Sequence, residues 1–343
     1  MIKFRCFTQI LTLQTTFRTA HGSREQIESL WAELSDNGLQ AYGEAVPVPY
    51  YGHTAQELKK VLDALQNTIE QTEINNASAF WEKMHPYLSN LPAAQCALDI
   101  AVYDYLSQKA QKPLYRYLGL AWREDLPVSN YTISLGTAEQ MLAQMQATPY
   151  PIYKIKLGSK NDLEILKALQ ESSPATFRID ANCAWTLEQA KSYLPELEKM
   201  QIEFIEQPFA VGEWQAVEEL RKITSIPILA DESCRTEADL EKCKDYFSGI
   251  NIKLAKCGGI TPALRMIEKA KRYNLKVMMG CMTESSVGIT AIAHLLPLLD
   301  FVDMDGALLL ANDPAEGVRL EAGKAILPQK NGLGVTLKDT PKK

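Results

Sequence analysis

Cysteine pairs at metal or redox spacing are missing from this chain, and so are most other signatures of common chemistry. The seven cysteines, Cys6, Cys96, Cys183, Cys234, Cys243, Cys257 and Cys281, are odd in number, and no two are spaced Cys-x-x-Cys. That usage argues against a disulfide framework and a thiolate zinc site, and for a reducing cytoplasm. Histidine is scarce: His21, His53, His85 and His294 lie far apart, and no His-x-His or His-Glu-x-x-His pattern occurs. A Gly-x-Ser-x-Gly elbow, a P-loop and a Gly-x-Gly-x-x-Gly turn are also absent, which leaves serine hydrolysis, nucleotide hydrolysis and dinucleotide binding without support. There is no excess of positive charge. The net charge of −6 and pI of 5.5 exclude the basic footprint of a nucleic-acid binder. Runs of 18 or more apolar residues are lacking, so no transmembrane helix and no membrane partner are expected. The N-terminal Met1-Ile-Lys-Phe-Arg-Cys-Phe7 lacks the apolar core of a secretory signal.

What is present is a repeated unit. With 343 residues, 46% of them hydrophobic, the chain can bury one large core or two unequal ones. Short apolar runs end in polar residues: Ile152–Lys156, Thr176–Asp180, Ile202–Glu206, Ile226–Asp231, Ile250–Lys256, Val277–Cys281 and Phe301–Asp305, with an eighth upstream at Tyr131–Leu135. From 156 to 305 the terminal positions fall 24 to 26 residues apart. A strand of about 5–6 residues, a helix of about 11–12 and two short loops fill that interval. The stretches between, such as Leu187–Met200 and Thr261–Tyr273, have helical spacing. Regular alternation predicts a TIM-type barrel rather than an open doubly wound sheet. Because Ala311–Gly317 is turn-like, the expected form is an α/β (β/α)7β barrel over residues 123–318. Residues 1–122 read differently. They suggest strands at Lys3–Leu13 and Gln40–Glu44, a Thr54-capped helix to Gln71, and an alanine-rich helix over Pro92–Leu106. This predicts an α+β capping domain, to which residues 319–343 return.

Barrel chemistry sits at the C-terminal ends of the strands. Those ends carry Lys156, Asp180, Glu206, Asp231, Lys256, Cys281, and Asp303 with Asp305. Three carboxylates on successive strands, with no histidine or thiolate among them, are hard oxygen ligands suited to Mg²⁺. Taken singly, any of these acids would more often be a cap or an ion-pair partner; the matched spacing is what lifts them above that. Strands two and six are four apart, so Lys156 and Lys256 are expected to face each other across the mouth. Lys154 shares a strand face with Lys156. As a nearby cation, it should lower the lysine pKa from its usual value of about 10.4. Lys253 is expected to point elsewhere and act structurally. A divalent cation on a carboxylate stabilises the charge left when the adjacent carbon loses a proton, and two opposed amines can remove and return that proton.

At these residues the chain resembles the enolase superfamily, in its muconate lactonising subgroup. Lys154-Ile-Lys156 looks like the subgroup's Lys-x-Lys motif, and Lys256 in Lys-Cys-Gly-Gly like its opposing lysine. Asp180, Glu206 and Asp231 match the metal ligands. Asp303-Met-Asp305 looks like the Asp-x-Asp motif with which dipeptide epimerases hold the substrate ammonium. The resemblance implies a Mg²⁺-dependent isomerase, a dipeptide epimerase, acting on a dipeptide through Lys156 and Lys256. It also implies substrate contacts from Thr132, Lys154, Cys281 and Met282, and closure by loops near Phe17–Arg24 and Val46–His53. Relatives acting on L-Ala-Glu carry arginine directly after Thr-Ala; here Thr19-Ala20 precedes His21, which points to a small or apolar dipeptide. Rival readings are an o-succinylbenzoate synthase or muconate cycloisomerase of the same subgroup, which need no ammonium clamp, and a non-catalytic binding barrel. The sequence leaves homo-oligomerisation open.

Overall fold

The protein is described from a computed structural model over residues 2–20, 22–47 and 52–338. Strands β1 (Lys3–Thr19), β2 (Gly22–Asp36) and β3 (Leu39–Ala45) form an antiparallel sheet in chain order. The expected first strand thus runs on into a long hairpin. The region read as a loop at Phe17–Arg24 is the hairpin's tip, with pairs Phe17–Arg24, Arg18–Ser23 and Thr19–Gly22. His21 and residues 48–51 of the second expected loop lie outside the described residues.

Helices α1 (Ala55–Ala64) and α2 (Gln66–Gln71) pack on the sheet, α3 (Ala77–Leu88) packs on the helix after it, and that helix, α4 (Pro92–Lys109), packs on the sheet again. Thr54 and Glu57 form a capping box at the start of α1, as the Thr54 side chain suggested. The alanines of α4 allow very close packing. A Cβ at Gly43 of β3 would lie 2.0 Å from the Ala97 carbonyl oxygen, so the helix backbone rests directly on that strand.

Eight parallel strands follow: β4 (Tyr131–Ile133), β5 (Ile152–Lys156), β6 (Thr176–Asp180), β7 (Ile202–Glu206), β8 (Ile228–Ala230), β9 (Gly249–Ile252), β10 (Lys276–Gly280) and β11 (Phe301–Asp303). They hydrogen-bond in sequence order, and a Ser129–Val302 bridge brings the two ends together. After β11 there is only a 3₁₀ turn, Gly306–Leu309, so the barrel is (β/α)7β. The strand expected to reach Lys256 stops at Ile252, and Leu254–Cys257 is a helical turn.

Alternation along each strand decides what faces inward. Register places Lys154, Arg178 and Phe204 side by side in one layer, and Lys156, Asp180 and Glu206 in the next layer up. Arg178 is almost fully buried and closes the barrel floor. It pairs with Glu203 at 2.6 Å, donates to the Asn130 side chain and the Val128 and Val302 carbonyls, and stacks on Phe204 and Phe301.

The C-terminal segment returns to the cap. Asp104 of α4 accepts hydrogen bonds from Tyr42 N at 2.9 Å and Leu333 N at 2.7 Å, tying sheet, helix and tail together. Burial pushes its carboxyl up to about 6, against about 3.9 in an unfolded chain. The folded form therefore binds the extra proton between those values, and the associated stability is lost as pH rises through 6. Comparing urea unfolding of the protein with Asp104→Asn isolates this group. The stability difference between the two should shrink by about 2 kcal/mol from pH 4 to pH 7; parallel pH profiles would rule the effect out.

Candidate active site

The barrel mouth opens into a cavity of 380 Å³ beneath the hairpin tip. Lys154, Lys156, Asp231, Lys253, Asp303 and Asp305 line its floor. Thr132, Cys281 and Met282 also reach it, as expected from sequence. Phe17, Ile27, Val46, Met282 and Leu309 supply an apolar wall, and the exposed Arg24 sits at the rim.

The polar groups are buried and mutually neutralised. The Lys154 ammonium lies 2.8 Å from Asp303, 2.8 Å from Glu206 and 3.1 Å from Asp180. Burial opposes its charge, but Asp303, Glu206 and Asp180 outweigh that and hold its pKa well above the ordinary value. Lys156 donates to Asp180 at 2.6 Å. Asp180 stays ionised despite its burial because Lys156 and Lys154 both face it. Glu206 fares differently: burial and the adjacent Asp180 raise its carboxyl to about 7. Its Oε1 accepts from Asn251 at 2.7 Å, while Oε2 accepts no hydrogen bond and lies 2.8 Å from the Lys154 ammonium.

The structure corrects the reading of the sixth strand. Asn251 is buried and reaches inward to Glu206. Lys253, two residues on, keeps that direction, lines the cavity and lies 2.8 Å from Asp231 Oδ2. It does not point elsewhere. Lys256, expected to face the site, sits in the turn beyond the strand and is not among the cavity's lining residues. Its ammonium donates to the Asp231 carbonyl oxygen at 2.8 Å and to Asp231 Oδ1, and it borders a smaller cavity of 60 Å³ between cap and barrel. The signal for Lys253 in the sequence is its parity with Asn251; the spacing alone points to Lys256, which borders the smaller cavity instead.

At strand β11, Asp303 accepts from Asn130 at 2.8 Å and from Lys154. Asp305 lies just past the strand and accepts the Thr132 backbone N–H at 2.5 Å. Burial and Asp303 push Asp305 up to about 7. Cys281 Sγ and one oxygen from each aspartate lie within 4.8 Å of one another, the only such convergence of three potential ligands among the described residues. Burial, then Asp303 and Asp305, keep the Cys281 thiol well above its usual range, so it stays protonated and ligates poorly. The pair of carboxylates beside it suits an organic cation better than a metal.

Asp180, Glu206 and Asp231 do suit a divalent cation in donor type. All are buried carboxylates at neighbouring strand ends, each turned here toward a lysine ammonium, and Glu206 Oε2 accepts no hydrogen bond. Such a set is chemically matched to a hard, oxygen-seeking ion.

The hairpin tip docks on this mouth. Leu135 N donates to the Arg18 carbonyl at 2.9 Å. Gly158, with φ of +127°, lets Ala20 approach so closely that a Cβ would meet the Ala20 Cβ at 2.9 Å.

Comparisons with known proteins agree with this architecture. Residues 1–119 match the mandelate racemase / muconate lactonizing enzyme N-terminal domain, and residues 136–341 the enolase C-terminal domain-like family. The chain is 48% identical over 329 residues to an L-Ala-D/L-amino acid epimerase of a Maribacter species, covering 95% of this chain and 97% of that protein. It is 46% identical over 327 residues to a protein of the same description from Flavobacterium johnsoniae, again covering 95% and 97%. The dipeptide epimerase of Cytophaga hutchinsonii, solved with Mg and the dipeptide D-Ala-L-Val, superposes with a TM-score of 0.92 at 28% identity, covering 99% of this chain and 97% of that one. With both halves matched in order around one barrel mouth, the chain belongs to the mandelate racemase / muconate lactonizing enzyme family of the enolase superfamily.

Proposed function

We propose that this protein is a Mg²⁺-dependent dipeptide epimerase that inverts the α-carbon of the C-terminal residue, with Lys156 and Lys253 as the two bases. The observation that carries the reading is the placement of these amines. They stand at the tips of β5 and β9, four strands apart in the barrel order, and both line the one cavity. Amines so opposed address the two faces of a carbon held between them. Asp180, Glu206 and Asp231 would hold Mg²⁺. When bound, the ion supplies the positive charge that offsets the second negative charge on the substrate carboxylate as the α-proton leaves.

The protein's own groups do the rest. Lys154, fixed as a cation, faces the same acids and orients the substrate carboxylate. One lysine removes the α-proton while the other, protonated, returns one to the opposite face. Asp303 and Asp305 receive the substrate's α-ammonium. A lyase or cycloisomerase acting on a substrate without an amine has no use for that pair. The backbone of Thr132 fixes Asp305, and Asn130 fixes Asp303. The apolar wall of Phe17, Ile27, Val46, Met282 and Leu309 favours a small or apolar dipeptide, of the Ala-Val kind. The reading places the enzyme in the cytoplasm, with its dipeptide as the sole partner and with no nucleic-acid or membrane partner; self-association is left open.

The test is deuterium uptake from D₂O at the C-terminal α-carbon, followed by mass, with each epimer supplied separately in the presence of Mg²⁺. Lys156→Ala and Lys253→Ala should each abolish epimerisation and leave exchange of one epimer, and the surviving epimer should differ between the two. Undiminished epimerisation in both variants would refute the assignment. Chelation of the metal should stop turnover and added Mg²⁺ should restore it.

Two further outcomes follow from the geometry. Asp305→Asn removes a charged acceptor worth about 1.5–3 kcal/mol, so KM for the dipeptide should rise ten- to a hundredfold, and an unchanged KM would contradict the ammonium clamp. Gly158→Val should push the hairpin tip off the barrel and raise KM about tenfold, with a smaller effect on kcat, since hairpin docking shapes the pocket rather than the proton transfer.

A further inference from the structure

The turn that follows β9 begins at Lys253 and ends at Gly258, and its far end is held by the cap rather than the barrel. Lys256 N and Cys257 N both donate to the Lys253 carbonyl, and Gly258 N and Gly259 N close on the Leu254 carbonyl. From the cap, Trp81 of α3 donates its indole N–H to the Gly258 carbonyl at 2.9 Å. Asp99 of α4, buried to about 2% exposure, accepts from Thr261 N at 2.8 Å and Thr261 Oγ1 at 2.9 Å, capping the helix Ile260–Arg272. A Cβ at Gly259 would lie 2.4 Å from Asp99 Oδ2, so the two segments are in direct contact. Trp81 is itself clamped: Arg265 lies 4.7 Å over its ring, His85 stacks on it with ring centroids 4.3 Å apart, and Gln95 donates to its carbonyl.

We infer that Trp81 and Asp99 are positioning residues that hold the Lys253–Gly258 turn, and through it the Lys253 amine, against one face of the substrate carbon. This rests on the proposed role of Lys253 as a base. It extends the cap's part in the reaction beyond the hairpin tip to a buried contact behind the site. Lys156 has no such dependence. It lies within β5, paired with β6, and takes its direction from the sheet. Disturbing the Trp81 and Asp99 contacts therefore weakens proton transfer on one face only.

Deuterium exchange into L-Ala-L-Val and L-Ala-D-Val, each supplied separately with Mg²⁺, reads the two faces independently. Lys253→Ala first identifies which epimer Lys253 serves, as the one whose exchange is lost. Trp81→Phe removes the indole N–H and keeps an aromatic ring at the position, though a smaller one; Asp99→Asn keeps the shape and weakens the helix cap. Each should slow exchange of the Lys253-served epimer at least tenfold and leave the other within twofold. A general structural defect would slow both alike, and that result, or no change in either epimer, would overturn the inference. If Lys253→Ala leaves exchange of both epimers intact, the two-base reading fails first and the positioning role falls with it. One-sided loss in Lys253→Ala without one-sided loss in Trp81→Phe or Asp99→Asn sinks the positioning role alone.

Discussion

Buried charge at the mouth of the barrel is the constraint on which this structure turns. An isolated ionised carboxylate in a protein interior costs several kcal/mol or more unless a counter-charge accompanies it. Here Asp180, Glu206, Asp231 and Asp303 are all buried, and Lys154, Lys156, Lys253 and Lys256 are arranged among them. No pair stands alone. Lys154 serves three acids, and Asp231 serves two lysines. The set is balanced with little to spare, and Glu206 is the member whose charge is least supported. A divalent ion entering such a set competes with the ammoniums for the same oxygens. Metal loading at these acids would then be linked to lysine protonation through shared carboxylates.

The same logic runs down the barrel axis. Asp303 is held by Asn130, Asn130 by Arg178, and Arg178 by Glu203 and the Val128 and Val302 carbonyls. The floor that seals the barrel and the rim that faces the cavity thus belong to one hydrogen-bonded column. Its members come from β6, β7, β11 and the segment leading into β4, so the column also draws the first and last strands together. Asp305 stands outside this column, braced by Thr132, and faces the cavity. Both aspartates line the cavity, one of them bound into the scaffold as well.

The cap acts on the barrel at separate places. Its hairpin tip covers the mouth, where Gly158 permits the approach of Ala20. Its helices α3 and α4 grip the segment after β9 from behind. Glu44 of β3 accepts from Ser285 and Gly288 at the start of the helix Ser286–Ala293 after β10, a third contact between cap and barrel. Cap and barrel meet through specific hydrogen bonds as well as apolar burial, which gives the cap leverage over groups at the strand ends.

Much of this was legible in the residues themselves. The interval of 24 to 26 residues is set by local geometry, a strand and a helix laid end to end, so it survives as a pattern in the chain. The carboxylates at 180 and 206, and the lysines at 154 and 156, follow from the same two-residue alternation, because those strands run to the predicted residue. The long hairpin was missed because its paired strands lack a clean apolar alternation near the tip. Lys256 was preferred over Lys253 because the strand was assumed to continue for four more residues than it does. The segment beyond that strand's end meets Trp81 and Asp99, some 160 to 180 residues away in sequence. Residue type and period, being local, announced the barrel, its acids and its class of chemistry. Whether Lys256 continues the strand or sits in a turn beyond it was decided only in the tertiary structure, because a run that short reads alike as strand or helical turn.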